Sequence, residues 1–218
     1  MISVDYRLAP EHPYPAAVLD AVDALHWVIK HGQTELGIDV TQIAVGGSSR
    51  YARLFHENLI RPLLCNGFNS GGNLATILAL KAAELQPSIP LLFQLLIVPV
   101  TDNTASQETH KSWAENELTP WLSPARMFWF RHNYLPNKED WTRWDASPFF
   151  APDELLSKTP KAWIGITELD ILRDEGIQYG EKLKKLGVEV EIEVYKGAPH
   201  PIMAMDGEPF NLVYCIFV

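Results

Sequence analysis

A hydroxyl, an imidazole and a carboxylate together can carry acyl transfer: the hydroxyl attacks, the imidazole moves the proton and the carboxylate orients the imidazole. The sequence offers each in a suitable setting. Ile43-Ala44-Val45-Gly46-Gly47-Ser48-Ser49 reads as a strand running into a tight turn, and Ser70-Gly71-Gly72-Asn73-Leu74-Ala75 reads as small residues opening a helix. Small neighbours let the backbone bend sharply beneath a nucleophile and leave room for a tetrahedral intermediate. Neither piece completes G-x-S-x-G. Joined, they read Gly-Gly-Ser-Ser-Ser-Gly-Gly-Asn-Leu-Ala, with Ser49 at the centre. Taken alone, Gly-Gly-Ser-Ser is equally a plain strand-end turn.

The carboxylate comes from Glu168-Leu169-Asp170-Ile171-Leu172-Arg173-Asp174-Glu175, which follows an apolar run directly. Asp170 at the strand end can orient a histidine. Asp174 and Glu175 better fit carboxylates that complement a helix N-terminus. The imidazole is His200, between Pro199 and Pro201 in a loop after the last strand-like run. The other six histidines (12, 26, 31, 56, 110 and 132) lack such a setting and read as surface or helix residues. The chain order Ser49, Asp170, His200 is that of α/β-hydrolases and differs from both major serine-protease orders.

The elements that must position these groups alternate between two periods. Residues 2–6, 42–45, 89–98, 162–166 and 188–194 read as strands. In the last, Val188, Val190, Ile192 and Val194 alternate with Glu189, Glu191 and Glu193, which predicts one wet face. Val18, Ala21, Val22, Leu25, Val28 and Ile29 mark one helix face, and residues 73–85 are apolar nearly all round, as in a buried helix. Leu172, Tyr179, Leu183 and Leu186 mark a third helix, closed by Gly187. These strands with their helices are expected to form an α/β fold with a mostly parallel sheet, whose function sits at the carboxyl ends of the strands. Residues 104–151 break the rhythm. They carry Trp113, Trp121, Phe128, Trp129, Phe130, Tyr134, Trp141, Trp144, Phe149 and Phe150. This reads as a helical excursion with its own small core that can also serve as part of a lid.

Composition narrows the function. A formal net charge of −9 disfavours nucleic acid as a partner, because phosphate binding needs clustered Lys and Arg. Two cysteines, Cys65 and Cys215, make a disulfide scaffold a poor reading and favour a reducing compartment. No signal-like leader is visible, which with the cysteine count points to the cytoplasm. The apolar run from Leu91 to Val100 is about half a membrane span and is interrupted by Gln94 and Pro99. The oligomeric state stays open.

Several motifs in order resemble the hormone-sensitive-lipase-like esterases of the α/β-hydrolase fold-3 family. Val4-Asp5-Tyr6-Arg7-Leu8-Ala9-Pro10-Glu11-His12 resembles their "DYRLAPEHPFPA" signature. Gly71-Gly72-Asn73-Leu74-Ala75 resembles the second half of their "GDSAGGNLA" elbow, with Ser48 where an Asp is usual. Residues 170–175 resemble their "DPLRDE" motif, whose first Asp is catalytic. The resemblance implies hydrolysis of small carboxylic esters with short to medium acyl groups, without metal or cofactor. Ser49 would be the nucleophile, His200 the base and Asp170 its orienting acid. The backbone N–H after the nucleophile, here that of Arg50, would be an oxyanion donor, and Ser70, Gly71 and Gly72 would complete the elbow. Gibberellin-receptor-like proteins hold a ligand on the same fold, so a non-catalytic binding reading stays open.

Two departures bear on this chain. The family's "HGGG" oxyanion loop precedes the "DYRLAPEH" signature, and this sequence starts just inside that strand, so an incomplete domain over 1–218 is expected. Residues 50–69 stand where a turn of a few residues belongs. They total 20 residues, the length of 60 nucleotides. Arg50-Tyr51 can be encoded with a GT splice donor and Ser70 with an AG acceptor, and excision restores an uninterrupted elbow. Residues 50–69 therefore read as a translated intron, with a real surface loop as the alternative. Gly207-Glu208 can encode a second donor, and the residues after it lack the helix expected beyond the histidine loop. The chain as written can accordingly be an inactive product of an unspliced transcript or a misassembled gene.

Overall fold

The structure, a computed structural model, describes residues 2–48 and 70–200. Four parallel strands form one sheet in the order β1 (Ala44–Gly47), β2 (Phe93–Ile97), β3 (Ala162–Leu169) and β4 (Val190–Pro199). Parallel neighbours need long crossovers. Helix α2 (Ser70–Glu84) supplies the first and α6 (Arg173–Lys185) the last. Between β2 and β3 the chain makes its excursion: α3 (Lys111–Glu115), α4 (Pro124–Tyr134), two 3₁₀ turns (Lys138–Thr142 and Pro148–Phe150) and α5 (Asp153–Leu156).

Helix α1 (Ala16–Leu36) turns Ala17, Val18, Ala21, Leu25, Val28 and Gly32 inward and stops at Gly37, whose φ of 64° lets its own N–H donate to the Gln33 carbonyl and that of Ile38 to the Gly32 carbonyl. Helix α2 is apolar all round because it serves two cores. Leu74 and Ile77 face a cluster with Val100, Trp113, Phe130, Ile171 and Leu172. Ala75 and Leu80 face another with Leu96, Ile164, Ile166, Tyr179 and Leu183. The exposed Glu189, Glu191 and Glu193 give β4 the wet face its alternation predicts.

Three expectations need correction. The described residues contain four strands, not the five read from the sequence, and residues 2–6 join no ladder. A strand needs a partner, and β1 is the last strand on its side of the sheet. The segment is tied to α1 instead: the Arg7 backbone N–H and guanidinium all donate to Asp20, at 2.7–3.0 Å. The run 89–98 becomes a strand only at Phe93, because Ile89 donates its N–H to Ala82 and closes the turn after α2. The aromatic excursion has no core of its own. Trp113, Phe130, Tyr134 and Leu135 share one cluster with Ala17 and Val18 of α1 and Leu74 of α2. Residues 50–69, the expected insert, and residues 201–218 lie outside the described residues.

Candidate active site

Because all four strands are parallel, their carboxyl ends share one edge, and those sequence candidates that lie among the described residues sit there. β1 leads into Ser48, and α2 begins at Ser70 with Gly71 and Gly72 in its first turn. The two halves of the elbow meet in space. A Cβ on Gly47 would collide with the Gly71 carbonyl, and one on Gly71 would collide with the Ser48 carbonyl. Only glycine allows backbones this close. Ser49 and Arg50 lie outside the described residues.

Asp170 follows β3 and His200 follows β4, on adjacent strands, and the fold brings them together. His200 Nδ1 lies 2.7 Å from Asp170 Oδ2, and both residues are buried. Asp170 Oδ1 accepts the Leu172 N–H at 3.0 Å, and Oδ2 also accepts the Thr167 hydroxyl at 3.2 Å. The carboxylate therefore acts as an acceptor throughout, so the imidazole carries its proton on Nδ1. That leaves the Nε2 lone pair for another group. Nε2 is buried with no hydrogen-bond partner among the described residues.

A bulge aims the imidazole. Between Thr167 and Leu169 the β3–β4 register shifts: Thr167 pairs with Tyr195, but Leu169 pairs with Pro199. The extra length on β4 is absorbed at Gly197, whose φ is 67°. Its freed N–H donates to Glu168 Oε2 at 2.7 Å. Bulges of this kind redirect a side chain beside a functional site.

The loop after β2 is fixed from below by Glu175 of α6. Its Oε1 accepts the backbone N–H groups of Thr101 (2.9 Å) and Asp102 (3.2 Å). Burial pushes this carboxyl up to about 8; the two backbone donors and Arg131 oppose the rise, and Asp102 adds to it. Arg131 is fully buried among the rings of Trp113, Phe128 and Trp141, 5.1–5.3 Å from their centroids, and donates to the Ala105 carbonyl at 3.0 Å. Burial lowers its pKa, against the pull of Glu175 and Asp102.

A family model described as alpha/beta hydrolase fold matches residues 1–61 and 61–204. The chain belongs to the α/β-hydrolase fold-3 family, in its hormone-sensitive-lipase-like branch. An AB hydrolase superfamily protein of Schizosaccharomyces pombe is 45% identical over 94% of this chain and 54% of its own length. Esterase LipI of Mycobacterium tuberculosis is 36% identical over 88% of this chain and 52% of its own. The crystal structure of carboxyl esterase 2 from Tuber melanosporum superposes with a TM-score of 0.78 at 27% identity, over 92% of this chain and 58% of that one. This α/β-hydrolase chain thus spans about half the length of the curated relatives it matches.

Sequence reasoning missed several residues in and around the candidate site. Glu175 reads as a helix-dipole carboxylate, but it is buried and holds the loop after β2; only Asp174 keeps an outward partner, Arg173, at 2.9 Å. Glu168 and Asn116 gave no signal, because the loops they hold lie 29 and 54 residues away. His110 is not a surface residue: it is buried at the start of α3, with its ring 3.0 Å from the Thr109 hydroxyl. No helix among the described residues is long and apolar enough to cross a membrane.

Proposed function

We propose that this chain is the catalytic portion of a serine carboxylic-ester hydrolase. Ser49 is its nucleophile, His200 its general base and acid, and Asp170 the group that orients His200. The observation that carries the reading is the buried Asp170–His200 pair at 2.7 Å, with Nε2 left for a proton from elsewhere. Ser49 Oγ attacks the acyl carbonyl and its proton passes to Nε2. Collapse of the tetrahedral intermediate breaks the ester C–O bond, and the alcohol leaves with that proton. Water then repeats the sequence on the acyl-enzyme, releasing the carboxylic acid and restoring Ser49. The N–H after the nucleophile faces the oxyanion; it belongs to Arg50 in this chain and to Ser70 once 50–69 is excised. The first turn of α2, with Gly71 and Gly72, supports the elbow. Substrates are small carboxylic esters with short to medium acyl chains. Residues 104–151 act as part of a cap, their aromatic side chains walling the apolar side. A chain with two cysteines suits a reducing compartment such as the cytoplasm.

Residues 50–69 are, in this reading, an insert in the elbow. The close approach of Ser48 and Gly71 supports it, since the two flanks already touch as they would with 50–69 removed. The family match comes in two pieces, 1–61 and 61–204, which meet inside this stretch. The test compares two proteins on p-nitrophenyl butyrate: the chain as written, and the chain with 50–69 deleted and supplied with the remaining half of the Schizosaccharomyces pombe relative. The deletion protein should hydrolyse the ester, and Ser49→Ala within it should abolish turnover. The chain as written should be slower by at least ~10²-fold, the usual cost of one lost oxyanion donor or of ~1 Å of misplacement. Robust hydrolysis by the chain as written would overturn the insert.

A further inference from the structure

The backbone that carries Asp170 is held by side chains from the excursion. Past the register shift of β3 and through the turn before α6, four consecutive carbonyls, Glu168 to Ile171, each accept from a side chain between residues 112 and 119. Asn116 Nδ2 donates to the Glu168 and Asp170 carbonyls at 3.4 and 3.1 Å. The Thr119 hydroxyl donates to the Leu169 carbonyl at 2.6 Å, and the Ser112 hydroxyl to the Ile171 carbonyl at 2.6 Å. The clamp is closed from the other side as well. Asp174 Oδ2 accepts the Ser112 N–H at 2.8 Å, and Arg173 Nη2 meets Glu115 Oε2 at 2.6 Å.

These bonds converge on one short segment. Helix α3 has five residues, too few to be stable alone, yet it and the turn after it direct three side-chain donors onto the acid and its immediate neighbours. Ser112 and Asn116 are buried, so water cannot replace them. We infer that Ser112, Asn116 and Thr119 are positioning residues for Asp170: they fix the height of its backbone so that Oδ2 meets His200 Nδ1. The inference rests on the reading of Asp170 and His200 as acid and base. It gives the excursion a second task, since any displacement of this part of the cap is transmitted to the acid.

The test is proton NMR of the full chain in water, read at the low-field resonance of an imidazole Nδ1–H held by a buried carboxylate. The unmutated protein should show this resonance. Asn116→Ala and Thr119→Val should each move it upfield or remove at least about half its intensity, and Thr119→Ser should keep it, because the hydroxyl is retained. In a protein that turns over ester, Asn116→Ala should lower kcat by about 10-fold and change KM less than about twofold, the pattern of a misoriented base. Thr119 is only half-buried, so Thr119→Val decides the matter even if Asn116→Ala does not fold. An unchanged resonance in folded Thr119→Val overturns the positioning role and leaves the esterase reading standing. Absence of the resonance from the unmutated protein overturns the Asp170–His200 pair, and both readings with it.

Discussion

Replacing Glu175 with glutamine should change how stability depends on pH. The carboxyl is buried, and its proton is held up to about 8 against an ordinary glutamate value of 4.5, chiefly by desolvation. Below pH 4.5 the folded and unfolded chains both carry the proton and no penalty exists. As pH rises, the unfolded chain ionises first while the folded chain keeps its proton, so the unfolded state binds fewer protons and stability falls. The fall runs at about 1.4 kcal/mol per pH unit and levels off near pH 8, where the folded carboxyl ionises too. Over the whole window that amounts to roughly 3–6 kcal/mol. Glutamine keeps the carbonyl oxygen that accepts the Thr101 and Asp102 N–H groups, but it has no proton to lose. The assay is urea unfolding of the parent and Glu175→Gln at half-unit steps from pH 5 to 8. The advantage of Glu175→Gln should grow by about 1.4 kcal/mol per pH unit. A difference that stays constant across the range would refute burial as the dominant influence on Glu175.

Gly71→Ala should destabilise the chain by about 2–3 kcal/mol or prevent folding, because the added methyl meets the Ser48 backbone, which cannot yield as a side chain can; a melting temperature within a degree of the parent would show that the elbow flanks do not touch. Asn73→Ala should cost about 1–3 kcal/mol in chemical denaturation. It removes the Asn73 amide from the buried Val100 carbonyl, 2.8 Å away, whereas the Ala146 carbonyl, 3.0 Å from the same amide, keeps the Asn103 amide at 2.8 Å; a loss under about 0.5 kcal/mol would place the Val100 carbonyl in contact with water. Gly197→Val should disturb the β4 bulge, since a β-branched residue resists a φ of 67°. In the deletion protein it should lower kcat more than it lowers the melting temperature would suggest, and an unchanged kcat would remove the bulge from the account.

The elements that bury one regular face were legible in the sequence. The apolar spacing of α1, the all-round apolarity of α2 and the glutamate alternation of β4 each state a local environment, and the structure supplies it. Asp170 and His200 were legible for a topological reason: each ends a strand, and parallel strands end on one side. What eluded the sequence depends on partners far along the chain. Residues 2–6 have strand-like composition, but a ladder needs a neighbour, and Arg7 anchors them to Asp20 instead. Asn116, Thr119 and Glu168 are polar residues whose only distinction is the backbone they hold. Buried Arg131 and Glu175 look like surface charges until the three aromatic rings and the Thr101 loop close around them.

The central claim is that Ser49 is a nucleophile served by His200. It is tested most directly by treating the 50–69 deletion protein, completed as described above, with a fluorophosphonate and locating the adduct by peptide mass spectrometry. A single adduct should form on Ser49, and His200→Ala in the same protein should slow its formation by at least about 10²-fold, in line with removal of a general base. A folded protein that leaves Ser49 unlabelled, or labels it equally fast without His200, would contradict the account.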